Sequence, residues 1–129
     1  MKLPHHYFLA ALAAFLLSTT HSVQAGAAVA SDGHGGYGFS YGDRSERRLR
    51  EEAYSNCASV SHFRRDVRVL TSTSAIGAGV VVRYWLPDGR EQIAAYIGSP
   101  SGRYARDKAI EYALRHGAVK YRVVREWRE

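Results

Sequence analysis

Hydrophobic positions change their period several times along this chain. Phe8–Leu17 is an unbroken apolar run, FLAALAAFLL. From Asp43 onward, Leu49, Ala53, Cys57 and Val60 recur at helical intervals and form one apolar stripe, with Arg47, Arg48, Arg50, Glu51 and Glu52 on the other side. This predicts a helix over about 44–60, with Asp43 and Glu46 spaced as a capping box. Val67–Thr71 and Gly77–Leu86 are β-branched and alternating, and Pro87-Asp88-Gly89 is strong turn chemistry before a third strand over 90–97. A second helix follows from about Ser101–Arg103 to His116, with Ala109, Ile110, Ala113 and Leu114 on one side and Gly117 as its stop. Val119–Arg125 alternates as a last strand.

The order α-β-β-β-α-β predicts an α+β fold: a two-layer sandwich with a mainly antiparallel sheet and both helices on one face. The chain then divides into 1–25, a Gly/Tyr-rich flexible linker over 26–42, and a single α+β domain over 43–129. The linker reading rests on Gly33, Gly35, Gly36, Gly38 and Gly42, because glycine adds backbone entropy that folding must overcome. No internal repeat is apparent. The element order resembles that of double-stranded RNA-binding domains. The second helix begins Arg103-Tyr104-Ala105-Arg106-Asp107-Lys108 instead of with a lysine-rich turn, so nucleic acid is not an expected partner.

Residues 1–25 combine a charged start at Lys2, an apolar run too short to span a bilayer, and Val23-Gln24-Ala25 at their end. This reads as a signal peptide cleaved near Ala25, with Ala28-Val29-Ala30 as an alternative cut and an uncleaved anchor as the competing reading. The product would be periplasmic or secreted, with no transmembrane segment after cleavage. An exported chain with one cysteine closes no internal disulfide. The 18 Lys and Arg against 12 Asp and Glu make the protein basic, and cleavage removes only Lys2 from that excess.

Side-chain alternation then gives the charge an address. With Val80, Val82, Tyr84 and Leu86 toward the helices, Arg83 and Trp85 point the other way. The same rule, with Ile93, Ala95 and Ile97 and Val119, Tyr121 and Val123 inward, leaves Gln92, Tyr96, Lys120 and Arg122 outside, and strand one adds Arg68. Arg68, Arg83, Trp85, Tyr96, Lys120 and Arg122 thus form a predicted ligand-binding face of cations and aromatics without a carboxylate. Such a face suits an anionic polymer, a lipid headgroup or an acidic protein partner. The same face would also bury in a homodimer, and as plain solvated sheet surface it needs no ligand. A second candidate is an anion-binding loop at the start of helix two, carrying Ser101, Arg103 and Arg106.

Catalytic signals are thin. Cys57 lies on an apolar stripe where a thiol behaves as a small hydrophobe, and the offset to His62 would place it on another side of a helix. His34, His62, His116 and Cys57 lack the close pairing of a metal site. No cofactor motif occurs. The sequence therefore points to an exported, non-enzymatic binding module, with an assembly protein as the alternative and a small thiol enzyme or hydrolase behind both.

Overall fold

The computed structural model describes residues 26–128, and the expected signal peptide lies outside them. Its elements are β1 (Gly26–Ser31), β2 (Tyr37–Gly42), α1 (Glu46–Val60), a short 3₁₀ turn (Arg64–Asp66), β3 (Arg68–Thr73), β4 (Ala78–Trp85), β5 (Glu91–Ser99), α2 (Gly102–Arg115) and β6 (Lys120–Trp127). The α+β class stands, and from α1 onward the elements follow the predicted order. Among the described residues, no helix is long and apolar enough to cross a membrane.

The layering departs from the expectation. The strands form two antiparallel three-stranded sheets, ordered β2-β1-β3 and β5-β4-β6. Helix α1 packs on the first through Leu49, Ala53 and Cys57 against Ala28 and Ala30. Helix α2 packs on the second through Ala105, Ala109 and Ala113 against Val80, Val82 and Ala94. The remaining faces of the sheets meet each other through Val29, Val81 and Ile93, flanked by Tyr37, Phe39, Ile97 and Trp127. The helices are therefore the outer layers of an α/β/β/α stack and do not share one sheet face.

The segment 26–42 is not a linker. It supplies β1, buried along its whole length, and β2. Tyr37, Phe39 and Tyr41 alternate with Gly38, Ser40 and Gly42. The rings of Tyr37 and Phe39 face the second sheet, and the small residues lie toward α1. A Cβ on Gly38 would overlap the Cys57 amide and the Ala53 carbonyl, so glycine here sets how closely helix and strand approach.

The two halves are one ββαβ unit used twice. Within Gly26–Thr73 and within Ala78–Trp127, the first strand is central, the second pairs on one side, and the strand after the helix pairs on the other. The registers superpose: Val29↔Phe39 and Ala30↔Gly38 match Val81↔Ala95 and Val82↔Ala94. Each unit carries a β-bulge at the same place, between Val29 and Ala30 in one and between Val81 and Val82 in the other. From Tyr37 to Ala58 the first unit runs without a gap against Ile93 to Leu114. That alignment sets Gly42 with Gly98, the helix caps Ser45 and Ser101 together, and the buried Leu49, Ala53 and Cys57 with Ala105, Ala109 and Ala113. The match is carried by small and buried residues, which is why no repeat shows in the composition.

Local signals place these elements well. Ser45 caps α1 by accepting from the Arg48 amide at 3.2 Å, so the cap is Ser45 and not Asp43. Ser101 caps α2 through the Tyr104 amide at 3.1 Å, and Gly117, at φ +91°, closes it. The ends of both apolar stripes fall outside the core: Val60 is 68% exposed and Leu114 54%.

Candidate anion-binding site

Strand β6 lies at the edge of the second sheet and pairs with β4 as Val82↔Val123, Arg83↔Arg122, Tyr84↔Tyr121 and Trp85↔Lys120. Residues directly opposite on neighbouring strands share a face. Arg83, Trp85, Lys120 and Arg122 therefore stand together on the face that turns toward the first sheet. The Lys120 ammonium sits 4.9 Å from the centre of the Trp85 ring. Beyond the bulge, Arg125 lies opposite Val81 and its guanidinium rests 4.7 Å from the Phe39 ring centre. The extra residue of the bulge shifts the alternation by one, so Arg125 falls on the same face as Lys120 and Arg122, with Val124 between them packed against the core of the two sheets. Trp127 continues this row, stacked on Phe39 at 5.6 Å.

None of the ion pairs among the described residues includes Lys120, Arg122 or Arg125. Glu126, the carboxylate of this strand, falls on the other side and takes Arg106 from α2, whose Nε donates at 2.8 Å. Arg83 is the anchored member of the cluster. Its Nε donates to the Gly35 carbonyl at 3.1 Å, its guanidinium lies 6.0 Å from the Tyr37 ring centre, and the Glu91 carboxylate stands 3.7 Å away. The predicted absence of carboxylates is thus corrected by Glu91, whereas Arg122 has neither tie. Comparison with family models, with the curated proteins and with the solved structures finds no match for this chain. What the site does has to be read from its own chemistry.

The other predicted face residues are elsewhere. Tyr96 lies opposite Val80 on the α2 side and meets the Tyr104 ring edge-on at 5.8 Å. Gln92 lies opposite Tyr84 and donates to the Gly33 carbonyl at 3.0 Å. Ile93, Ala95 and Ile97, expected against the helices, face the first sheet, and Ala94 faces α2. A strand buried on both faces offers no polar side from which its phase can be read. Arg68 belongs to the first sheet, opposite Ser31. Tyr37 and Phe39, which complete the aromatic surround, were hidden in the supposed linker, although their alternation with glycine and serine carries a strand signal.

At the predicted loop, Ser101 spends its hydroxyl on the helix cap and Arg106 is held by Glu126. Arg103 borders a cavity of about 490 Å³ with Gly77, Ser99 and Arg128. The loop trio is therefore divided among capping, an ion pair and a cavity rim.

Two further groups are structural. Cys57 is fully buried, and burial, with a smaller contribution from the Asp32 charge, pushes its thiol up to about 11. A thiolate nucleophile is thus not present at neutral pH. Asp32 accepts from the His34 and Gly36 amides at 2.8 and 2.9 Å and from the Ser61 hydroxyl at 2.5 Å. Burial alone would raise its carboxyl, but these bonds and the His34 charge outweigh it and hold the group below the usual range. His34 stacks on Phe63 at 3.8 Å and its Nε2 lies 2.9 Å from Asp66, so this cluster ties the β1–β2 loop to the end of α1. Among the described residues, no group of three or more His, Cys, Asp or Glu is arranged to hold a metal ion.

Proposed function

We propose that the protein is an exported, non-enzymatic module that binds an anionic component of the cell envelope, or an acidic protein partner, through the Arg83, Trp85, Lys120 and Arg122 cluster. One observation carries the reading: Arg83 and Arg122 are directly opposed across β4 and β6. Like charges in that position are destabilising; Glu91 stands beside Arg83 and pairs with it alone, so an anion on the Arg122 fork relieves the remaining repulsion with charge-assisted hydrogen bonds. Edge strands do use charge to block strand addition. That role is served by either sign, whereas this row is uniformly basic and its one carboxylate neighbour on β6 is turned away.

Export is part of the proposal. A cut after Ala25 leaves β1 whole, whereas a cut after Ala30 removes nearly all of the strand at the centre of the first sheet. The mature chain is accordingly expected to begin at Gly26, which mass spectrometry of the exported protein checks.

The binding test uses Lys120→Gln/Arg122→Gln, because both side chains are exposed and neither holds the fold. Binding of fluorescent dextran sulfate is followed by anisotropy at about 0.15 M salt. The native protein is expected to bind, with affinity falling as salt rises, and the double variant to lose about tenfold or more. Equal binding by both proteins, or no binding by the native one to this or to any other anionic polymer tested, overturns the reading.

A further inference from the structure

The spacing of the β6 row narrows the class of anion. Lys120 and Arg122 are two residues apart on one side of an extended strand, and two residues cover six backbone bonds and about 6.7 Å. Successive phosphates along a poly(glycerol phosphate) chain are also joined through six bonds, from phosphorus through oxygen, three carbons and oxygen to the next phosphorus, a path that nucleic-acid backbones share. A phosphodiester chain lying along β6 can therefore set consecutive phosphates beside Lys120 and Arg122, and Arg125 continues the row beyond the bulge.

The geometry points to a linear polyol-phosphate polymer as the ligand of this site, an inference that rests on the anion-binding reading above. Three features favour it. Arg122 presents a planar fork that no ion pair among the described residues takes, and an arginine fork matches phosphate better than an ammonium does. The aromatic rings of the row already carry cations, Lys120 on Trp85 and Arg125 on Phe39. They hold the charges in place and do not stand bare as stacking platforms, so the row reads a backbone and not bases. No carboxylate on β6 interrupts the row, because Glu126 is engaged by Arg106 on the opposite side.

The experiment compares four probes at equal anionic charge with the full mature protein: oligo(glycerol phosphate), long-chain inorganic polyphosphate, dextran sulfate and oligo(dT). Polyphosphate carries its charges closer together, through single bridging oxygens, and dextran sulfate carries them without a linear six-bond repeat. Oligo(glycerol phosphate) is expected to bind about tenfold tighter than either, and no weaker than oligo(dT). Lys120→Gln and Arg122→Gln should each weaken it and each reduce its salt slope by about one. Equal affinity for oligo(glycerol phosphate), polyphosphate and dextran sulfate overturns the spacing argument and leaves the anion-binding reading standing. A clear preference for oligo(dT) replaces the polyol phosphate with a nucleic acid. Failure of all four to bind removes both readings together.

Discussion

The two ββαβ units share strand order, register and bulge position, yet they differ at one end of their central pairing. Where the second unit sets Arg83 opposite Arg122, the first sets Ser31 opposite Arg68. Residue 68 holds in β3 the place that residue 122 holds in β6, each directly before the valine that faces the bulged pair. Two residues before Arg68 and Arg122, the first unit has Asp66, which pairs with His34. The second unit has Lys120 there, lying over Trp85. One scaffold thus carries an Asp–His loop clamp in its first copy and, in its second, a cationic row with Glu91 at Arg83. Since the scaffold folds either way, the row is not a requirement of the fold, and the opposed arginines are the departure that the proposed ligand would account for.

The helix interfaces differ as well, and they give the largest expected effects. Leu49 is the one long aliphatic side chain among the fully buried residues of the first helix layer, and its counterpart in α2 is Ala105. Leu49→Ala is expected to cost about 3 kcal/mol, from lost burial and the cavity left behind. Ala105 has no such side chain to lose, and Ala105→Gly should cost about 1 kcal/mol from helix propensity. Urea unfolding of both variants checks the contrast, and equal losses would mean that the first unit does not depend on this one side chain.

The next effect sits at a matched pair of strand positions. Gly38→Ala installs in the first unit the residue that the second carries as Ala94. A Cβ at position 38 meets the backbone of α1, where nothing flexible can move aside, so the substitution is expected to cost about 2 kcal/mol. Ala94 is buried against α2 without such a conflict. The two helices therefore ride at different heights on equivalent sheets. A neutral Gly38→Ala in the same unfolding assay would break that conclusion.

Acid should act differently on one matched pair of positions. Asp32 of the first occupies the place of Tyr84 in the second, both one residue beyond the matched pair Ser31 and Arg83. With its carboxyl held low by Ser61, His34 and Gly36 against the opposing effect of burial, Asp32 contributes stability that is complete above its unfolded value near 3.9. That stability is lost as pH falls through the lower folded value. Unfolding free energy should therefore fall as pH drops below about 4, which acid titration of the urea midpoint checks. Asp32→Asn should be less stable at neutral pH and flatter in acid. Tyr84, whose hydroxyl is pushed up by burial and then by Tyr112, is uncharged throughout this range. A Tyr84→Phe variant should keep the native acid dependence.

The second unit was largely legible in its sequence, whereas in the first α1 and β3 were legible and β1 and β2 were not, for a physical reason. Strands β4, β5 and β6 are eight or nine residues long and rich in β-branched side chains, and Pro87-Asp88-Gly89 marks their hairpin. Strands β1 and β2 have six residues each and are built from alanine, glycine and serine, because a close helix on one side and a second sheet on the other leave little room. Composition there imitates a linker. The period-two placing of Tyr37, Phe39 and Tyr41 is the signal that survives. For the site, alternation on β4 and β6 joined Arg83, Trp85, Lys120 and Arg122 on one face, although that face turns toward the other sheet and is not the uncovered face of a single one. It failed on β5, where Tyr96 proved to face α2, since both faces of that strand have partners. It failed again for Arg68, because strand alternation says nothing about which of two sheets a strand joins.

The smallest expected effect bears most directly on the row. If Arg83 and Arg122 repel across the strands, Arg122→Gln should raise stability by about 0.5 kcal/mol at low salt, while also weakening anion binding. The matched change Arg68→Gln, opposite Ser31, removes no like-charge pair and should leave stability unchanged. Thermal unfolding of the two variants beside the native protein measures the difference. Near 1 M salt, where screening acts within about 3 Å, the gain from Arg122→Gln should vanish. A loss of stability in that variant at low salt would instead show that Arg122 is held by favourable packing in the unbound protein. The opposed arginines would then cease to be a departure that needs an anion.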